Sequence, residues 1–472
     1  MAHTETRPLC VAIVGAGPAG LRAASTLVKA GLRPILINEA PEPGGQIYRR
    51  PPKALLLFRS AKDLYGADSH RASALDSAFD DMKERIDYRP STSVWNATRR
   101  NDGRVRLHLC DASGEVDTLD CDKVVLATGA MDRIVPLPGW TEPGVWSLGG
   151  AQVMLKAQAQ FVGRNPVFAG SGPLLYLVAW QYMKAGATPA AVIDASTFSA
   201  KLRAVPAMLA RSAVAFRGLR MAVALRRRGI LVLEGCHAER IDTTPTGFLV
   251  SWAGEQGSGD ISGDAVAIGH GLKPEQQLAE LLGCRLHFDP GAGQWLVETD
   301  RDGRASVPGV YLAGDMAMIR GAHAAETAGE LSALAVLADA GLAPAYDGVR
   351  RIRLRRSMKR QDLFRKGLEA AFPFPSNRIE NLPDETTVCR CEGVTAGDLR
   401  KAVAHWQPAD VNRLKAMTRC GMGRCQSRLC GETAAALLAA GSGRDRSEVG
   451  FVRSQIPVKP LPIPARERET QR

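Results

Sequence analysis

Five of the ten cysteines fall between Cys389 and Cys430, as Cys389-x-Cys391 followed by Cys420, Cys425 and Cys430. Thiolates are the ligands of zinc and of iron–sulfur clusters, so this density points to a metal centre. At the opposite end stands Gly15-x-Gly17-x-x-Gly20, between an apolar strand and a helix start. In such a turn the first glycine makes the bend and the second lets backbone approach a pyrophosphate. The third lets the helix pack close to the strand. Glu39, nineteen residues after Gly20, is placed to accept from a ribose hydroxyl pair. A two-electron organic cofactor and a one-electron metal centre on one chain would make an electron-transfer unit.

Three further segments favour FAD over NAD as the occupant of the first turn. Gly314-Asp315 closes the apolar strand VYLAGDM, as in the second fingerprint of flavoproteins with two dinucleotide domains, where the Asp binds the ribityl chain. ATGA at 127–130, with Thr128 and Gly129, matches their middle motif. Gly44-Gly45-Gln46 matches the loop beside the flavin. With Pro18 and Ala19 opening the helix, the candidate flavin contacts are Gly15, Gly17, Pro18, Ala19, Gly20, Glu39, Gly45, Gln46, Thr128, Gly129, Gly314 and Asp315. A second turn, Gly170-x-Gly172-x-x-Leu175, has Leu where a small residue would allow close packing, with Asp194 at the ribose position. A nicotinamide cofactor, NAD(P)H, there is the disfavoured reading, because the bulky Leu opposes the reason for the glycine. No Cys-x-x-Cys or Cys-x4-Cys lies near the flavin motifs. Cys10, Cys110, Cys121, Cys236 and Cys284 are dispersed and read as core residues, which argues against a disulfide reductase. His323 opens the helix after the Gly-Asp motif and reads as a plain helix-start residue rather than a group facing the flavin.

Positioning these residues requires two β-α-β units, one inside the other. Strand, turn and helix at 9–30 lead to a strand at 33–40, with Gly31 ending the helix. Residues 166–172, 174–186 and 189–196 repeat the pattern. Residues 201–229 read as helical and Arg-rich, 266–271 and 310–316 as strands, and 323–341 as a long helix. The expected division is 1–150, the first part of an FAD-binding Rossmann domain; 151–275, an inserted dinucleotide-type domain; and 276–345, the return to the first. A basic helix and linker at 346–385, a cysteine module at 386–441 and a proline-rich tail at 442–472 follow.

The chain has 472 residues, 45% hydrophobic and 23% charged, with net charge +12. No apolar run is long enough for a membrane span, and no signal peptide is visible, so a cytoplasmic location is expected. Residues 350–366 carry nine Arg/Lys against one Asp. Nucleic acid is disfavoured for want of aromatic interleaving. A docking face for an acidic partner is preferred, with peripheral association with an anionic membrane as the alternative. Leu354, Met358, Phe364 and Leu368 mark an apolar stripe on this helix. Prolines 457, 460, 462 and 464 predict an extended tail that packs on a partner or stays mobile.

In the cysteine module, Thr395 and Asp398 form a predicted capping box, and Cys425 is expected near the start of the helix GETAAALLAAG. Five thiols serve four ligand positions. From chemistry alone either Cys420 with Cys425, or Cys425 with Cys430, completes the set. A structural zinc knot and unmetallated cysteines are the alternatives; the flavin turn upstream favours [2Fe–2S].

Taken together, VGAGPAG, PGGQIYRRPP, ATGAMDRIVPLPGWTEPGV, AGSGPLL, LAGDMAMIRGA, CRCEGVT, TRCGMGRCQSRLC and the proline tail resemble the flavin-containing alpha (A) subunits of opine oxidases and D-hydroxyproline dehydrogenases. The hydrogen cyanide synthase subunit of the same architecture is similar. The resemblance covers nearly the whole chain. It implies an α/β fold of two nested Rossmann-like dinucleotide-binding domains, the FAD/NAD(P)-binding flavoprotein fold, plus a small C-terminal α-helical [2Fe–2S] module like that of bacterioferritin-associated ferredoxin. It implies Cys389, Cys391, Cys425 and Cys430 as metal ligands, with Cys420 the spare. Ser427 replaces the glycine usual in this loop. It also implies a D-amino-acid-oxidase-like flavoprotein beta subunit, with a small third subunit as an option, that oxidises the C–N bond of an amino acid or secondary-amine derivative. This chain would then relay electrons from flavin to cluster. The competing readings are a self-contained NAD(P)H-dependent flavin reductase, a cluster-bearing scaffold, and a glycine-oxidising subunit of the hydrogen cyanide synthase type. No catalytic acid/base pair or substrate-carboxylate clamp is legible.

Overall fold

A computed structural model describes residues 8–49, 69–345 and 347–462. Two parallel sheets organise the fold. The first runs Val310–Leu312, Lys123–Leu126, Val11–Val14, Ile35–Ile37, Asp87–Arg89. The second runs Leu231–Glu234, Ala191–Asp194, Val167–Ser171, Val266–His270, Val145–Ser147. Its strands all fall between Leu126 and Val310 in sequence, so one sheet is nested within the other. The inner strands of both are buried apolar runs, as expected where helices cover both faces. Two antiparallel three-stranded sheets, within Ser93–Cys121 and Cys236–Gly263, add to the elements that the sequence predicts.

Small residues let two helices close over the first sheet. Pro18–Lys29 packs against Ala322–Asp339 so tightly that a Cβ on Gly329 would lie 2.0 Å from the Ala19 carbonyl oxygen. The predicted 201–229 helix is two helices, Phe198–Met208 and Ser212–Arg227, separated by a 3-10 turn at Leu209–Arg211. Pro206 sits near the end of the first, where its missing N–H and ring disfavour continuation.

The basic helix spans Asp347–Ala371 and buries Leu354 and Phe364. Much of its charge is paired inside the chain. Arg351 and Arg355 bind the buried Asp302, Arg350 binds Glu330, and Arg365 binds Glu369. It is a clamp on the flavin domain as well as a charged surface. The tail also differs from expectation. Val458 is buried in the core beneath the first sheet, and its N–H donates to the Trp95 carbonyl at 2.9 Å. Val458 thus packs on its own chain rather than on a partner. Pro464, and residues 50–52 of the PGGQIYRRPP segment, lie outside the described residues.

The cysteine module has its own core, in which Leu399, Val403, Leu414, Leu437 and Leu438 are buried, with Val135 of the upstream crossover joining it. The Thr395–Asp398 capping box is formed as the sequence predicts.

Candidate functional site: a nucleotide turn bridged to a cysteine loop

The first glycine turn is shaped for a pyrophosphate. The helix Pro18–Lys29 begins at Gly17 with no side-chain cap and no acid in its first turn, so its leading N–H groups have no internal carboxylate to satisfy them. A Cβ on Gly17 would meet nothing nearer than the Gly45 Cα at 3.7 Å, whereas one on Gly20 would lie 1.8 Å from the Gly15 carbonyl oxygen. Gly17 therefore meets only the Gly45 backbone at contact distance, and Gly20 is pressed against the turn. Gly45 backs onto Gly17, and Gly44 N–H donates to the Ala16 carbonyl at 2.8 Å, so the 44–46 loop lies beside the turn.

The strand leading to Glu39 is shorter than expected and ends at Ile37. Asn38 takes the buried place at the strand end, its amide oxygen accepting from Ala16 N–H at 3.3 Å. Glu39 lies beyond it, exposed, with a 2.9 Å ion pair to Lys459 of the tail. The Asp315 carboxylate accepts from the N–H groups of Arg320 and Gly321, while burial pushes its pKa upward. His323 directs its ring at Gln361 of the basic helix, 3.5 Å away.

Among the described residues the thiols fall into an inner trio and an outer pair. The sulfurs of Cys389, Cys420 and Cys430 lie within 4.8 Å of one another and all three residues are buried. Hydrogen bonds from the Cys420 and Cys430 thiols, joined by the N–H groups of Gly421 and Glu392, hold the Cys389 thiol well below its ordinary value. The same bonds push the Cys420 thiol up. Cys391 is exposed and hydrogen-bonds Cys425. Gly423 permits this, since a Cβ there would lie 2.1 Å from the Cys391 Cβ. Cys420 thus does not stand apart from the other thiols. Cys430, not Cys425, caps the helix Gly431–Ser442. Ser427 adopts φ +62°, a left-handed backbone that explains why glycine suits this place.

The decisive connection between the two ends is Glu275. Its N–H donates to the Gly129 carbonyl at 3.0 Å, and its carbonyl accepts from Thr128 Oγ1 at 2.6 Å. Its carboxylate receives both arms of Arg428, at 2.7 and 3.1 Å, from the loop between Cys425 and Cys430. Gln277 Nε2 donates to the Gln426 carbonyl at 3.0 Å. A second tie is buried: Arg133 binds Glu432 at 2.6 Å and the carbonyls of Ala292 and Gly293. Arg428 carries a visible charge beside the cysteines in the sequence. Glu275 has no motif around it, and no sequence signal marks it.

The pattern of the pyridine nucleotide-disulphide oxidoreductases matches residues 10–329, and that of the BFD-like [2Fe-2S] binding domain matches residues 387–440. The chain belongs to the pyridine nucleotide-disulphide oxidoreductase family. The opine oxidase A-subunit of Rhizobium meliloti is 35% identical over 96% of this chain and 86% of its own length. Hydrogen cyanide synthase subunit HcnB of Pseudomonas aeruginosa is 32% identical over 96% of this chain and 97% of its own. L-proline dehydrogenase from P. horikoshii shares the fold, with TM-score 0.69 and 19% identity over 97% of this chain and 80% of that one. This oxidoreductase is thus an FAD-dependent enzyme chain with a [2Fe–2S] domain, and its relatives are named as subunits. Among the described residues no helix is long and apolar enough to cross a membrane.

Proposed function

We propose that this chain is the FAD- and [2Fe–2S]-containing alpha subunit of a hetero-oligomeric dehydrogenase that oxidises the C–N bond of an amino acid or secondary-amine derivative, such as an opine or D-hydroxyproline. The observation that carries the reading is the Glu275 bridge. One residue hydrogen-bonds the Thr128–Gly129 flavin motif by its backbone and the cysteine loop by its carboxylate.

The Gly17 helix terminus would hold the pyrophosphate, with Glu39 near the ribose and Asp315 at the ribityl chain. Thr128 and Gly129 would line the flavin side, beside Gly45 and Gln46. FAD supplies two-electron acceptance with one-electron release, and the cluster supplies one-electron transfer. The outer thiols Cys391 and Cys425, with Cys389 and Cys430 of the inner trio, would furnish the four ligands. Cys420 would remain a thiol beside them. Arg428 and Glu275 fix the cysteine loop against the flavin loop, and the buried Arg133–Glu432 pair keeps the two bodies in register.

The substrate itself would be handled by a D-amino-acid-oxidase-like flavoprotein beta subunit. A cytoplasmic location, where thiols stay reduced, suits a chain with ten cysteines. The similarity to HcnB over nearly the full chain supports a second reading, a glycine-oxidising subunit of a hydrogen cyanide synthase. The test is the visible and paramagnetic resonance spectrum of the purified chain before and after reduction. Flavin absorbance with an iron–sulfur shoulder and a reduced-cluster signal is expected. Stoichiometric zinc with no cluster signal would sink the relay.

A further inference from the structure

Among the described residues, a cluster of exposed large apolar side chains lies far in sequence from either cofactor motif. The helices Phe198–Met208 and Ser212–Arg227 follow the second sheet's strand Ala191–Asp194 as a protruding pair. The second has sixteen residues and buries only Leu225; the first buries only Ala200 and Ala204. Phe198, Leu202, Leu209, Phe216 and Leu219 are each at least 60% exposed. Along the first helix and its C-cap, Phe198, Leu202, Val205 and Leu209 follow one stripe at helical spacing. An apolar stripe of this kind facing water marks an interaction site.

Charge says what covers it. Between Asp194 and Glu234 the sequence has seven Arg, one Lys and no acid. Lys201 is turned inward, bound to Asp194 and Glu234, which leaves Arg as the surface cation. Arg203 and Arg220 are exposed, Arg203 on the flank of the first helix's stripe and Arg220 one turn after Phe216. Phe, Leu and Arg together, with no Lys at the surface, are the composition of a protein–protein interface. A helix lying on lipid would segregate its cations from its apolar face, whereas on Ser212–Arg227 Arg220 falls four residues after Phe216, on the same face. The basic helix braces the pair from behind. Gly367 sits against Ala207 and Met208, and Arg211 Nη1 donates to Gln361 Oε1 at 3.2 Å.

We propose that the exposed face of Phe198–Met208 and Ser212–Arg227 docks the flavoprotein partner subunit, through an apolar patch on that subunit rimmed by carboxylates. This rests on the reading of the chain as one subunit of a complex. It adds where the partner binds and by what chemistry.

The test uses the tagged full chain purified from its own cells. Phe216→p-benzoylphenylalanine is irradiated in the complex, with Val116→p-benzoylphenylalanine, exposed on the strand Val116–Cys121, as the control position. The expected result is one adduct from position 216, identified by mass as a flavin-binding polypeptide of different sequence, and none from position 116. An adduct with a second copy of this chain, with lipid alone, or with nothing overturns the proposal. As an independent arm, Arg203→Glu with Arg220→Glu should weaken the complex at least tenfold in native mass measurements. Flavin and cluster absorbance of the chain should stay unchanged. An unaltered complex overturns the assignment. A chain that carries flavin and cluster but binds its partner elsewhere defeats only the docking face. A chain without a cluster defeats the functional reading instead.

Discussion

Two glycine turns of the same spacing stand in this chain, and they have been built for opposite ends. At both, the helix N-terminus has no side-chain cap and no acid in its first turn; at the first, the third glycine also lets the helix close on the turn. Glu39 stays exposed. At the second, Leu175 occupies that third place and is fully buried in the neighbouring core. Asp194, where a ribose would be met, has no exposure at all. It accepts from Tyr176 OH at 2.7 Å and from Lys201 Nζ at 2.6 Å. Glu234, at the end of the adjacent strand, binds the same Lys201 and also Arg226. The segment Pro375–Pro383 lies over Gly170 and Ala195, leaving a cleft of about 60 Å³. At the second turn the acid at the ribose position is met by a side-chain network. The difference teaches that a dinucleotide fingerprint reports the turn, while the fate of the acid after the next strand reports the occupant.

The sharpest way to break this comparison is Gly15→Ala. A Cβ there would lie 2.3 Å from the Ala127 carbonyl oxygen at φ +108°, which no flexible side chain can relieve. We expect the purified variant to lose bound flavin, read as flavin absorbance per chain. Retention of stoichiometric flavin would mean the first turn is not the site. Next in size is Lys201→Met. It leaves Asp194 and Glu234 without their shared cation, and removing one partner of a buried ion pair costs about 3–5 kcal/mol. Denaturant melts should show that loss with flavin still bound. The unaltered chain should show no saturable bleaching of its flavin by NADH, because the acid that would read the ribose is already engaged. Bleaching abolished by Asp194→Ala would reverse the comparison.

Much of the first turn is legible in sequence because each residue has a local reason: Gly15, Gly17, Gly20 and Asp315 follow from backbone geometry and strand ends. The capping box at Thr395 is legible for the same reason. Lys201 is not, although it stands only seven residues after Asp194, because nothing local says that a lysine turns inward. Glu275 is invisible because its partners are Gly129, Thr128 and Arg428, up to 153 residues away. In the antiparallel sheets the middle strand Val105–Cys110 keeps an alternating pattern, whereas bulges at Val94/Asn96 and Ala238/Arg240 interrupt the partner strands. The thiols show the limit from the other side. Spacing counts five of them, but only folding sets Cys420 beside Cys389 and Cys430, and Cys391 beside Cys425.

The second region also carries a pH signature. His270 ends the strand Val266–His270, and its Nδ1 accepts from Val135 N–H at 3.2 Å. Burial first, then the charges of Arg133 and Arg378, push its pKa down to about 3. An unfolded histidine titrates near 6.5, on the order of the model-peptide value. Between these values the unfolded chain holds a proton that the folded chain refuses. Stability from this group is therefore complete above about pH 6.5 and falls as pH drops toward 3, with a slope of up to about 1.4 kcal/mol per pH unit. Thermal melts of the wild type and of His270→Gln between about pH 7.5 and 5 should differ in slope. Parallel slopes would show that His270 is charged in the fold.

The smallest expected effect lies in the second turn. Gly172 is the counterpart of Gly17 and has φ +104°, but a Cβ there would find only Gly271 atoms at 3.8 Å or beyond. Gly172→Ala therefore meets backbone strain without collision, a cost of about 1–2 kcal/mol. It should lower the denaturant midpoint slightly and leave flavin content and reduction unchanged. The same chemical change, glycine to alanine, thus separates the two turns: at position 15 it strikes the cofactor, and at position 172 it strikes only the fold. If Gly172→Ala altered flavin reduction, the second turn would have to bind something that reaches the flavin, and the network at Asp194 would be a closed state rather than a filled one.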